Sequence, residues 1–189
     1  MPLLINIVAF KIGWLACVIG GASEFAWLGA LIALAIVALH ISLATYSATE
    51  FRFIALAGLI GLAWDSLLAS TGWLTYQSGM LFAGVAPYWI AAMWLLFATT
   101  LNVSLSWLKG RLVVAALMGA VSGPLAFYAG SKLGAVTFVD FSSAMIALAI
   151  GWAVILPGLV ALSARLDGFT TRGLMPGASN LARRPLRDY

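Results

Sequence analysis

Six long apolar runs take up most of this chain. A helix that spans a bilayer needs about 20 predominantly apolar residues. Six stretches meet that length, at residues 3–21, 25–46, 53–73, 87–107, 112–133 and 143–164. With 63% hydrophobic and 8% charged residues, the chain is far from the ~25% charged composition of soluble domains. Its mean hydropathy is +1.07. A soluble core of this length cannot bury so much apolar surface, so the bilayer has to act as the solvent. The expected fold is an all-α polytopic bundle of six transmembrane helices, residues 1–166, followed by a loose basic cytoplasmic tail, residues 167–189.

The first run carries Lys11 in its middle and is followed by Glu24 and a second run. It lacks the basic start and small-residue cleavage site of a signal peptide, so it reads as the first span. Connections between runs are short, which makes consecutive helices antiparallel neighbours. The longest, residues 74–86, is expected to form a short interfacial or re-entrant element.

Basic residues orient the bundle. Arg52, Lys109, Arg111, Arg165, Arg172, Arg183, Arg184 and Arg187 fall on one side, and only Lys132 on the other. Both termini are therefore expected in the cytoplasm, and the protein in the inner membrane of a bacterium. Trp27, Trp73, Tyr88, Trp89 and Trp107 fall near run ends, as an aromatic belt requires. Trp64, Trp94 and Trp152 fall deeper and are expected to face helices or a ligand.

The net charge of +4 resides mostly in the tail, and too little chain lies outside the membrane for a nucleic-acid face. The single Cys17 supports neither a disulfide nor a cysteine metal cluster. One histidine cannot assemble a zinc site with three protein ligands. Neither metal nor cofactor is expected. Metalloprotease, hydrolase-elbow and P-loop motifs are absent from the sequence.

Four polar residues interrupt the runs, and an ionisable group at membrane depth is a functional candidate by default. Asp65 shares a helix face with Gly58, Gly61, Ala69 and Gly72, so it should point into the bundle where another helix approaches closely. It is expected near the midplane, as a proton carrier, a general acid/base or the counter-charge for a cation. Lys11 could pair with Asp65 or snorkel to the headgroups. His40 could act as a base, bind a headgroup phosphate or bridge helices. With Asp65 it forms the candidate catalytic pair. Asn102 shares a polar face with Thr99 and Ser106, a pattern common in interhelical hydrogen bonding. The candidate ligand-binding set is Asp65, Lys11, His40, Asn102, Trp64 and Trp94. Pro124 and Pro157 each disturb a helix ladder and could frame a cavity.

Three stretches carry a resemblance. They are Gly61-Leu62-Ala63-Trp64-Asp65-Ser66, then Ala86-Pro87-Tyr88-Trp89-Ile90 leading to Trp94-Leu95-Leu96-Phe97, and Gly123-Pro124-Leu125-Ala126. Together they resemble an uncharacterised family of small bacterial inner-membrane proteins, from Asn6 to about Ala164. The family pattern has a glutamine-like residue near Lys11, so this lysine departs from it. Members are often encoded near enzymes that modify membrane fatty acids, which implies a lipid-related role but no catalytic residues.

The leading expectation is a protein that binds or translocates a lipid or other amphipathic ligand through a cavity around Asp65. A membrane-embedded enzyme acting on a lipid acyl chain or headgroup is the alternative. A helper subunit that positions a peripheral enzyme through its Arg-rich tail is another. Membrane lipids are the expected partners, with a peripheral or membrane protein possible in the last case.

Overall fold

In the computed structural model, which describes residues 2–169, the chain is all-helical with a minor two-stranded ladder. The helices are α1 (Leu3–Gly21), α2 (Ala26–Ser42), α3 (Ser47–Ser70), α4 (Tyr88–Leu101), α5 (Leu112–Lys132) and α6 (Phe141–Arg165). Four of them, α1, α3, α5 and α6, are long and apolar enough to cross a membrane. The polar tail expected to be loose lies, beyond Phe169, outside the described residues.

Three boundaries differ from the sequence expectation. The third helix starts at Ser47 rather than Phe53, which draws Glu50 and Arg52 into it. Ser47-Ala48-Thr49-Glu50 before an apolar run is a recognised start pattern, although Glu50 turns inward instead of capping. The fourth helix ends at Leu101, and a 3-10 turn over Ser106–Leu108 follows. Thr99, Asn102 and Ser106 therefore do not share one helix face, and Asn102 is the C-cap residue. The connection from residue 74 opens with strand β1 (Leu74–Tyr76), which pairs antiparallel with β2 (Val136–Phe138).

At 14 residues α4 is only about 21 Å long, shorter than a ~30 Å hydrocarbon core. It can be short because it is interior. It packs on α1, α2, α3 and α6, and none of its own residues is exposed. The long connection is tied to helix ends: Ser78 Oγ donates to the Gly21 carbonyl at 2.8 Å, Trp89 Nε1 donates to the Ser78 carbonyl at 3.0 Å, and the Ala86 amide donates to Ser66 Oγ at 3.0 Å. Met80, Leu81 and Phe82 stay exposed on it. Asp140 caps α6 by accepting from the Ser143 amide at 3.1 Å. Hydrogen bonds from the Ser143 hydroxyl and amide hold its carboxyl below the ordinary range.

Glycine sets the helix spacing. In a membrane, helices gain nothing from hiding apolar surface from lipid, so close van der Waals approach decides which helices associate. A Cβ on Gly119 would collide with the Trp152 carbonyl oxygen, one on Gly123 with the Trp152 ring, and one on Gly61 with the Trp94 ring. The glycine faces of α3 and α5 thus each seat a tryptophan.

Gly119→Ala is expected to destabilise by about 1–3 kcal/mol, because backbone cannot retreat from the added methyl. Gly158→Ala, in the same hairpin with nothing within 4 Å, should be neutral or stabilising by about 0.5–1 kcal/mol. Thermal unfolding of both variants in detergent checks the contrast.

Candidate functional site

Asp65 lies five residues before the end of α3 at Ser70, about 8 Å from it. This position is nearer the β-ladder end of α3 than the middle of that helix. The side chain is 1% exposed. Its Oδ2 accepts from Trp94 Nε1 at 2.7 Å, while Oδ1 has no hydrogen-bond partner among the described residues. Gly61, one turn earlier, lets the Trp94 ring lie against α3 and so aims its N–H at the carboxylate. Trp94 in turn stacks on Trp152 with centroids 4.8 Å apart and planes 18° from parallel, and Phe97 meets both rings edge-on. The Trp152 Nε1 donor is also buried without a partner. Tyr76 on β1 is close enough that the Asp65 charge adds to burial, and the two push its phenol well above its ordinary range.

Asp65, Trp94, Phe97 and Trp152 wall a cavity of about 440 Å³. It lies between α1 and α4 on one side and α5 and α6 on the other, with Asp65 reaching in from α3. α5 packs chiefly on α6, and α1 on α2 and α4, so the α1 and α5 walls are not zipped together. Lys11, Ser122 and Leu125 line the cavity and are exposed, which places its mouth on the outer face of the bundle between α1 and α5. The volume falls within the roughly 300–1,000 Å³ of small-molecule sites.

Lys11, Asp65 and Trp94 therefore meet in one cavity. Lys11 stands at the rim and makes no hydrogen bond or ion pair with Asp65 among the described residues. Trp64 lies elsewhere, with its ring against Gly151 of α6 and its Nε1 buried without a partner.

His40 and Asn102 belong to a second cluster at the arginine-rich end. His40 Nε2 lies 2.9 Å from Glu50 Oε1, and both side chains are fully buried. Glu50 Oε2 accepts from Asn102 Nδ2 at 2.7 Å and from the Gly168 amide at 3.0 Å. Lys109 Nζ donates to Asn102 Oδ1 and to Asp167 Oδ2, each at 2.7 Å. The Phe169 ring packs on His40 at 4.9 Å. Asn6 makes a smaller tie of the same kind, donating to the Thr99 carbonyl at 3.1 Å and accepting from the Ser104 amide at 3.3 Å. The cluster joins α2, α3, the end of α4 and the chain after α6. Glu50 is its hub and was not among the sequence candidates. The start pattern at Ser47 was the signal that could have drawn it into the helix.

The two clusters call for different chemistry. In the Glu50 cluster both carboxylate oxygens are occupied, which suits a structural clamp. In the Asp65 cluster half of the carboxylate faces no partner beside an open volume, which suits a ligand.

Removing one member of a buried ionic network leaves the others desolvated and unpaired. Glu50→Leu should therefore cost about 3–5 kcal/mol, and Glu50→Gln less than half of that because an amide keeps part of the bonding. Unfolding midpoints in maltoside detergent test the order. Equal midpoints for wild type and Glu50→Leu would show that the cluster is not a clamp.

No three His, Cys, Asp or Glu residues are grouped to hold a metal ion among the described residues. No curated protein and no solved structure matches the chain. A family model described as a protein of unknown function, DUF2878, matches residues 3–158. That match takes in five helices and most of the sixth, and it agrees with the resemblance carried by the motifs around Asp65, Trp94 and Pro124: the chain belongs to the DUF2878 family of proteins of unknown function.

Proposed function

We propose that the protein takes up an amphipathic ligand from the bilayer into the cavity beside Asp65, by binding or translocation. The observation that carries this reading is the ~440 Å³ volume that adjoins a half-partnered, buried carboxylate and reaches the outer face between α1 and α5. An apolar wall admits a hydrocarbon chain, and a lone polar group orients it. An intramembrane acid with half of its carboxylate unpartnered is a functional candidate by default. The enzyme reading has less support, because His40 is engaged by Glu50 and does not share the cavity with Asp65.

The same reading takes all six helices as spans, with both termini in the cytoplasm. The four long helices support crossing, and the interior position of α4 supports its counting as a span despite its length. Arg52, Lys109, Arg111 and Arg165 at one end and Lys132 at the other support the orientation, and a bacterial inner membrane is the setting this reading takes.

Two measurements follow. Ala126→Trp fills the cavity from α5, so mass spectrometry should find lipid or another amphiphile co-purifying with the wild type and severalfold less with the variant at equal folded yield. Equal ligand content in the two would remove the cavity from consideration. A fluorescent protein fused at the C-terminus should be bright and an alkaline phosphatase at the same place inactive. The reverse pattern would put the C-terminus outside and overturn the six-span reading with both termini in the cytoplasm.

A further inference from the structure

We infer that the ligand of this cavity carries an organic cation, an alkylammonium group on a hydrocarbon chain, seated against Asp65. The inference rests on the cavity being a ligand site and goes on to name the class of ligand. Two independent features point to a cation. One is the Asp65 carboxylate, 99% buried with Oδ1 unpartnered. Among the described residues neither lysine nor arginine pairs with it. A buried carboxylate without a compensating positive group is costly, so an incoming cation gains an interaction that the protein itself leaves open.

The other is the wall. Trp14, Trp89, Trp94 and Trp152 all line the cavity, half of the tryptophans in the chain, together with Phe10 and Phe97. Indole faces attract ammonium groups through the ring quadrupole, most strongly where water is excluded, and aromatic cages are the recurrent way to hold quaternary ammonium. Such a head asks for no hydrogen-bond acceptors beyond the carboxylate, and the wall offers few.

Lys11 does not oppose this arrangement. Gly13 of α1 meets Leu96 of α4, and Gly21 meets Trp89, so Trp94 falls opposite residues 14–15. Lys11 then lies about 5 Å toward the other end of the bundle, one helical turn away. Its Cα–Cβ bond tilts further that way, toward the start of α1. The exposed ammonium of Lys11 marks the mouth, and the carboxylate marks the seat.

The test uses three probes with one chain length: octyltrimethylammonium, octanol and octyl sulfate. Each is titrated into the full-length protein in dodecyl maltoside micelles, with tryptophan emission as the readout and partition into empty micelles subtracted. Octyltrimethylammonium should bind at least tenfold more tightly than the other two. Asp65→Asn should abolish that preference, and Trp152→Leu should weaken the cation severalfold. Equal binding of all three probes by the wild type would overturn the cation while leaving the cavity as a ligand site. Preference for octyl sulfate would overturn it in favour of an anion at Lys11. Saturable binding of none would overturn both this inference and the ligand-site reading. The comparison of probes on the wild type decides without the variants, should Asp65→Asn fail to fold.

Discussion

A carboxylate removed from water must be compensated, and the helix arrangement follows from how two of them are treated. Solvation of a charge is lost on burial and is regained only through partners of good geometry. Glu50 regains it in full, from His40, Asn102 and the Gly168 amide. Those three partners come from three different segments, so satisfying one carboxylate fixes where α2, the end of α4 and the chain after α6 lie around α3. Asp65 receives a single donor, from Trp94. The same physics therefore locks one end of the bundle and leaves the other with unspent interaction capacity beside a void.

Between those ends, distance is governed by the absence of side chains. Apolar surface yields no driving force for helix association among lipid tails, so packing has to be close to hold. The glycines of α3 and α5 admit Trp94 and Trp152 to the helix backbones. The two rings then stack on one another, carrying contact from α4 to α6 where those helices otherwise meet little. The tryptophans are at once the spacers that keep the halves of the bundle apart and the lining of the volume that results.

Much of this was legible in the residues. Apolar runs marked six helices, and the glycine face around Asp65 correctly turned it inward, because a charge and a run of small residues on one face have few other uses in lipid. The shared cavity of Lys11, Asp65 and Trp94 was within reach for the same reason. Helix ends were not. Apolar periodicity says where a helix is buried, not where it begins, so the six polar-flavoured residues before Phe53 read as a loop and Glu50 was passed over. The polar series Thr99, Asn102, Ser106 fits a helical period, yet the chain leaves the helix at Asn102 to let its amide reach Glu50. The placement of His40 away from Asp65 depends on which helices are neighbours, and spacing along a chain carries no such information.

The three-residue ladder between β1 and β2 has a mechanical consequence. It joins the link after α3 to the link before α6, so hydrogen bonds rather than lipid-facing side chains hold the α5–α6 hairpin at that end. Near Leu112 no such stitch binds α5 to α1 among the described elements. The hairpin is thus fastened at both ends, by the ladder beside Val136 and by the Glu50 network that takes in the chain after α6.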